Sequence, residues 1–426
     1  MSKAGTKKVT LKYEAKGGTI RSWIFSGMRR ISVNLLLVMG ALLLVFSTLE
    51  GVLRLLAKAA PLRLNQHKVC CEHDPQLGWR HVANRTVTFE RSEYSITERF
   101  NSRGVRGPEY SLEKEPDEYR IVVLGDSFAE GYTVEFEELF SEVLKRHLNE
   151  QGGRRVEVIN LGVAGYSTDQ ELLLYQTEGI HYRSDLTILM FHDNDVWYNA
   201  QKRYFPWRRG YKPLFRLKGD ELQLTNVPVP VLAEEVSFQT QIQTTLAHHS
   251  YLYRWIRNRV KNNSTLFSLA ISLGLADPGK TFLPKEYRVY QNPYSPEIHE
   301  AWLVTAALLA KLKQETRSIG SDLLVFHVPG RVSVYTQEWE QWKQHYALPV
   351  EGWHSEQVNL ELGEVLARLE IEFLNPLKRF RQRTKDFPND GDRLYFKGDG
   401  HWNRKGHRLA GEMLAEAIVQ SRFFQD

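Results

Sequence analysis

The chain has 426 residues, 42% hydrophobic and 25% charged, which excludes bulk disorder and leaves room for one large core or two. A net charge of +5 invites a nucleic-acid reading, but Lys3, Lys7, Lys8, Lys12, Lys16, Arg21, Arg29 and Arg30 face the single acid Glu14 within residues 1–30. The rest of the chain holds 48 basic against 50 acidic residues, so no nucleic-acid partner is expected.

Behind this basic tail (1–30), Ile31–Leu49 reads ISVNLLLVMGALLLVFSTL, an uncharged run. At a rise of about 1.5 Å per residue it just spans a hydrocarbon core of about 30 Å, and it is read as a transmembrane helix. A cleaved signal peptide competes, since Ala57-Lys58-Ala59 has the small-x-small form. Against it, the apolar run exceeds the usual ~7–15 residues, and Arg54 and Lys58 stand where a neutral cleavage region belongs. An uncleaved single-helix anchor is therefore favoured. Arg21, Arg29 and Arg30 before the span, with five Lys further upstream, are set against Arg54, Lys58, Arg63 and Lys68 after it; this modest asymmetry places the N-terminus in the cytoplasm and the remainder in the periplasm or outside the cell.

Residues 50–118 are polar and turn-rich, with a short strand at Arg85–Arg91, and are read as a stalk and lid region. From 119 onward strands and helices alternate. Arg120–Leu124, Val156–Asn160 and Leu186–Phe191 are short apolar runs, and Glu138–Asn149 and Asp169–Glu178 are helical. This order predicts an α/β protein with right-handed crossovers and a parallel sheet covered on both faces. Between about 200 and 295 the regularity stops. The segment opens with the aromatic and basic stretch Tyr204–Arg209 and has a helical part around Gln241–Lys261, as expected for an inserted lid subdomain. A helix at Pro296–Arg317, a strand at Asp322–Val328, a helix at Asn359–Leu369, a strand at Ile371–Leu374 and a closing helix at Lys405–Gln420 complete the domain.

Four short stretches carry chemistry. Gly125-Asp126-Ser127-Phe128 follows the first strand, where open α/β sheets bind their ligands. Asn160-Leu161-Gly162-Val163-Ala164-Gly165-Tyr166 follows the second, and its glycines let backbone N–H groups approach a ligand. His192-Asp193-Asn194-Asp195 follows the third, and an Asn amide can donate to a developing oxyanion. Asp399-Gly400-His401 precedes the closing helix and supplies a base with an acid beside it. Taken singly, each is equally a turn or a helix cap.

Together the four resemble the blocks of the SGNH (GDSL-like) hydrolase family, centred on Ser, Gly, Asn and His. The resemblance covers about 120–199 and 296–421. It implies a three-layer α/β/α fold with a flavodoxin-like parallel sheet. It implies Ser127 as nucleophile, His401 as general base and Asp399 as its orienting acid, with Asp392 in reserve. The oxyanion hole would be Ser127 N–H, Gly165 N–H and the Asn194 side chain. Two departures stand out: His192 holds the place of a usual Gly, and Asp399 lies two residues before His401 where three is common. Asp126 and Asp195 are read as structural supports. No cofactor and no metal is expected; the partner is an acylated small molecule or glycan, by analogy with anchored relatives that modify exported polysaccharide. A lipase or thioesterase, or a silent anchored binding protein, is the alternative.

Overall fold

Unbroken runs of Val, Ile and Leu can be buried only where both faces of a sheet are covered. In the computed structural model apolar runs form the three central strands, β1 (Glu118–Gly125), β3 (Leu186–His192) and β4 (Asp322–Val328), and less buried segments form the two edge strands, β2 (Arg155–Asn160) and β5 (Glu372–Leu374). They pair in parallel in the order β2-β1-β3-β4-β5, the doubly wound order of flavodoxin-like folds. The structure describes residues 18–56, 70–91, 93–151, 153–204, 210–219, 221–231, 242, 245–246, 249–261, 264–273, 283–386 and 392–424.

The period of two along each strand separates two cores. Ile121 and Val123 of β1, with Ile188 and Met190 of β3, face one layer, built from α3 (Phe140–Glu150), α10 (Leu377–Asp386) and α11 (Arg404–Gln420). Val122 and Leu124, with Leu189 and Phe191, face the other, built from α4 (Thr168–Thr177), α8 (Pro296–Ser318) and α9 (Gln357–Arg368). The expected three layers are present. The chain reverses its winding between β1 and β3, so the loops after these two strands open a crevice at the carboxyl edge of the sheet.

The chain divides into two compact units, Met1–Leu62 with Glu235–Ala276, and Arg63–Glu234 with Asp277–Asp426. The second holds the sheet. It also holds most of the described part of 50–118, which forms two antiparallel hairpins, Cys71–Asp74 with Gly78–His81 and Thr86–Glu90 with Ser95–Arg99. Trp79 Nε1 donates to Ala164 O (3.2 Å), so the first hairpin is built onto the loop after β2. The first unit contains α1 (Gly18–Leu56), α6 (Tyr251–Lys261) and α7 (Ser264–Ser272). Within α1, Leu37–Leu55 has a mean hydropathy of 1.8 and no buried residue, and is long and apolar enough to cross a membrane. The expected lid segment, 200–295, is thus shared between the units, and its hairpin Leu214–Lys218 with Glu221–Thr225 belongs with the sheet. Residues 1–17 of the basic tail, the Ala57–Ala59 stretch and 205–209 lie outside the described residues.

Candidate active site

β1 delivers its last residues into a turn that only glycine can make. A Cβ on Gly125 would lie 2.6 Å from Ala129 Cβ and 2.8 Å from Met190 Cβ. Asp126 then caps the four-residue helix α2 (Ser127–Glu130), its Oδ1 accepting the Phe128 N–H at 2.9 Å. Ser127 is therefore the first residue of a helix, at the mouth of the crevice.

From the far end of the chain, Asn403 caps α11 by accepting from Lys405 and Gly406 N–H, and this fixes the preceding loop. The loop brings His401 Nε2 to 2.7 Å from Ser127 Oγ. On the other side of the ring, Nδ1 lies 2.6 Å from Asp399 Oδ1. A carboxylate can only accept, so Nδ1 carries the proton and Nε2 is left to accept from the serine. Asp392 forms an ion pair with Lys405 Nζ (2.7 Å) and is thus spoken for.

Asp399 is itself held from three directions. Tyr94 OH donates to Oδ2 at 2.8 Å, and Tyr132 OH donates to Oδ1 at 3.3 Å. The Tyr132 oxygen also lies 3.0 Å from His401 Nδ1, placing it to accept part of that proton's hydrogen bond. Burial opposes ionisation of Asp399, but the hydrogen bond and charge of His401 and the two tyrosine hydroxyls outweigh it and hold the carboxyl at about 2. Burial pushes both phenols up, so they remain donors. Glu93 accepts the backbone N–H groups of Lys397, Gly398 and Asp399, pinning the acid's own loop.

The loop after β2 is tied to α2. Asn160 Nδ2 donates to Ala129 O (2.7 Å) while its Oδ1 accepts Gly162 N–H (3.0 Å), and Ala164 N–H donates to Glu130 Oε2 (2.5 Å). Gly165 follows at φ +82°, a left-handed conformation that favours glycine, and among the described residues no acceptor takes its N–H. At the end of β3, Asn194 precedes the short helix α5 (Asp195–Asn199) but caps nothing with its side chain, and its buried Oδ1 has no donor among the described residues. Its neighbour Asp193 is an anchor, bonded to His327 Nε2 (2.7 Å) and Tyr290 OH (2.6 Å). Burial works against its charge, yet His327 beside it keeps the carboxyl below its usual range. His192 donates from Nδ1 to Val328 O (3.0 Å), and its ring packs 4.7 Å from that of Phe128, which in turn lies 4.6 Å from His401. The departure from Gly thus adds an aromatic wall to the crevice.

Sequence reasoning missed Glu93, Tyr94 and Tyr132. Tyr132 stands five residues after Ser127, where no motif spacing announces it; Glu93 and Tyr94 sit between strands read as a lid.

The family model described as the GDSL-like lipase/acylhydrolase family matches residues 123–409. Among curated proteins none matches this sequence. Solved structures with a similar trace include TesA, at 10% identity over 70% of this chain and 98% of that one, with a TM-score of 0.35. A lipase/acylhydrolase from Enterococcus faecalis gives 12% identity, coverages of 70% and 95% and a TM-score of 0.36. The acetyl xylan esterase AlAXEase gives 11%, coverages of 70% and 99% and a TM-score of 0.37.

Proposed function

Because this chain belongs to the GDSL-like lipase/acylhydrolase family, we propose that it is a serine-dependent ester hydrolase or acyl transferase acting through an acyl-enzyme. The observation that carries the reading is the continuous chain of hydrogen bonds Ser127–His401–Asp399, at 2.7 and 2.6 Å. A silent binding protein has no need of a serine, a base and an ionised acid in that order.

In this mechanism Ser127 Oγ attacks the ester carbonyl carbon as His401 Nε2 takes its proton. Asp399, ionised at any working pH, holds the Nδ1–H tautomer and stabilises the imidazolium that forms. The oxyanion is received by the N–H groups of Ser127 and Gly165 and by the Asn194 amide, donors with no other acceptor among the described residues; losing one such donor typically costs about 3–4 kcal/mol of barrier. His401 then returns the proton to the leaving alcohol as the C–O bond breaks. Water or a sugar hydroxyl, deprotonated by His401, next attacks the acyl-Ser127 carbonyl, and His401 returns that proton to Ser127 Oγ as the acyl–oxygen bond breaks. The acylated substrate is read as cell-surface or exported polysaccharide. The apolar α1 supports this reading as a membrane anchor that would hold the enzyme, N-terminus inside, at the outer face of the membrane.

Ser127→Ala, prepared as the full chain in detergent, should lower kcat/KM for short-chain 4-nitrophenyl esters and for acetylated glycans by roughly 10⁴-fold or more. A serine-reactive phosphonate should label the wild type and not the variant. Undiminished turnover in the variant would remove Ser127 from the reaction. Labelling without ester release would favour transfer to an acceptor over hydrolysis.

A further inference from the structure

A nine-residue helix without a single charge is unusual on a protein surface. α7 (STLFSLAIS) is one, with Leu269 and the following Leu273 left 55% and 62% exposed. α6 packs against it and is of opposite character. Residues 251–273 contain four basic residues (Arg254, Arg257, Arg259 and Lys261) and no acid. Trp255 is 51% exposed beneath the Arg259 guanidinium, 5.6 Å from its ring, and Ile256 is exposed beside it.

Both helices belong to the same compact unit as α1, and the join is specific. Glu50 of α1 caps α6: its carboxylate accepts the N–H groups of Tyr251 (3.0 Å) and Leu252 (2.9 Å) and the Ser250 hydroxyl (2.9 Å). Arg54, one turn on, bonds Glu50 (2.8 Å) and donates to His249 O (2.5 Å). Glu50 and Arg54 are the first charges after the apolar run that begins at Ile31. They therefore mark the level at which α1 would leave the hydrocarbon, and α6 starts at that level.

We propose that residues 249–273 form a two-helix interfacial element. It would lie in the headgroup and acyl boundary of the bilayer that α1 crosses, with Leu269 and Leu273 toward the acyl chains and Arg257 and Arg259 on anionic lipid phosphates. The chemistry fits that occupant: an uncharged Leu face to be covered, a tryptophan at its rim, basic charge with no acid within 251–273, and continuity with the spanning helix. The element rests on reading α1 as a span, and it fixes the rotation and depth of that anchor.

The test reconstitutes the full chain, with Cys70→Ser and Cys71→Ser, in phosphatidylcholine and phosphatidylglycerol vesicles. An environment-sensitive fluorophore is attached at Leu269→Cys or, separately, at Leu43→Cys in α1. Both replaced side chains are exposed. Brominated acyl chains should quench the label at 269 roughly twofold or more over plain lipid, and the bilayer should shield it from aqueous iodide. Quenching at 43 with a water-exposed label at 269 overturns the interfacial element and leaves the span standing. No quenching at either position overturns the span and the element with it. Because Cys70 is buried, a second measurement uses the unsubstituted chain with a lipid carrying a photoreactive acyl chain. Cross-links mapping to 264–273 support the proposal. Cross-links confined to α1 overturn it.

Discussion

Two buried clusters of charge support the loop that carries Ser127, and they differ in how many cations they contain. The first lies against the far end of α2. His81 Nε2 is 3.0 Å from Glu130 Oε2, and Arg106 Nη1 is 3.2 Å from Glu98 Oε1, giving two bases for two acids. Arg106 also donates to the carbonyl oxygens of Glu130, Gly131 and Val134, which locks the turn that ends α2. The second lies behind Asp126. Asp126, Asp169, Glu171 and Asp195 are all buried, and Lys212 is the cation among them, bonded to Asp169 and to Tyr198 O. Three excess negative charges cannot be carried in a water-free interior, so this cluster must keep more protons than the first, where Glu98 is the acid that burial raises, to about 8. Burial, with the neighbouring acids adding to it, raises Glu171 and Asp195 well above the ordinary carboxylate range. Both Glu171 oxygens and Asp195 Oδ1 lack a donor among the described residues, so a negative charge on either would go unanswered there. Where cations stand against the acids, Arg106 orients the backbone of the turn. Where they do not, the site stores neutral acids.

The largest break in that comparison comes from Lys212. Burial raises Asp169 to about 6, and the lysine's charge and hydrogen bond are what keep it from going higher. Lys212→Met should cost about 3–5 kcal/mol at pH 8, the usual penalty for stranding one partner of a buried pair. Urea unfolding midpoints would read it. The loss should shrink at pH 5, where Asp169 can take a proton instead. A loss that is equal at the two pH values would mean that the lysine acts by packing alone.

The first cluster is sharpened by pH. Burial works against a charged His81, but the Glu130 carboxylate in contact with it dominates, and Cys71 and Glu98 add to the effect, raising the imidazole to about 9. A histidine raised in the folded state binds its proton more tightly there. Its stabilisation is therefore complete below pH 6.5 and is lost as pH climbs toward 9, by roughly 3 kcal/mol at most. Glu98, pushed by burial to about 8 with Arg106 offsetting only part, loses stability in the same direction between pH 4.5 and 8. Tm should fall steadily from pH 6.5 to 9. The slope should flatten in His81→Gln, although that variant starts lower; an unchanged slope would assign the titration elsewhere.

The unequal visibility of these parts in the sequence has a physical reason. The central strands were legible because burial on both faces demands unbroken apolar runs, and Asp322–Val328 matches β4 end for end. The four chemical stretches were legible because they follow strand ends, and the structure brings Ser127, His401 and Asp399 into hydrogen-bond contact. Tyr94 and Tyr132 were not, since a tyrosine that holds an acid looks in sequence like one that fills a core. Lys212 and Glu98 were hidden for the opposite reason: charged residues in turn-rich stretches read as solvated, and only the fold reveals that both are buried. The division of the 200–295 segment was equally silent, because Glu50 meets Ser250 across two hundred residues of sequence.

The smallest expected effect is the most discriminating. Glu171→Gln keeps the shape of the side chain and replaces an acid that already holds its proton with a neutral amide. If the second cluster stores neutral acids, the change should cost less than about 1 kcal/mol at pH 7, because no buried charge is lost. The sign should also drift with pH. Glu171, raised in the folded state, gives stability that fades as pH rises, whereas the amide does not titrate; the variant should gain on the wild type from pH 5 to pH 9. Thermal unfolding of both chains across that range would show the two curves converging or crossing. A penalty of about 3 kcal/mol or more at pH 7, constant with pH, is what removal of an ionised and paired carboxylate would produce. It would mean that both clusters hold their charges by pairing, and the contrast between them would then lie in the partners rather than in the protons.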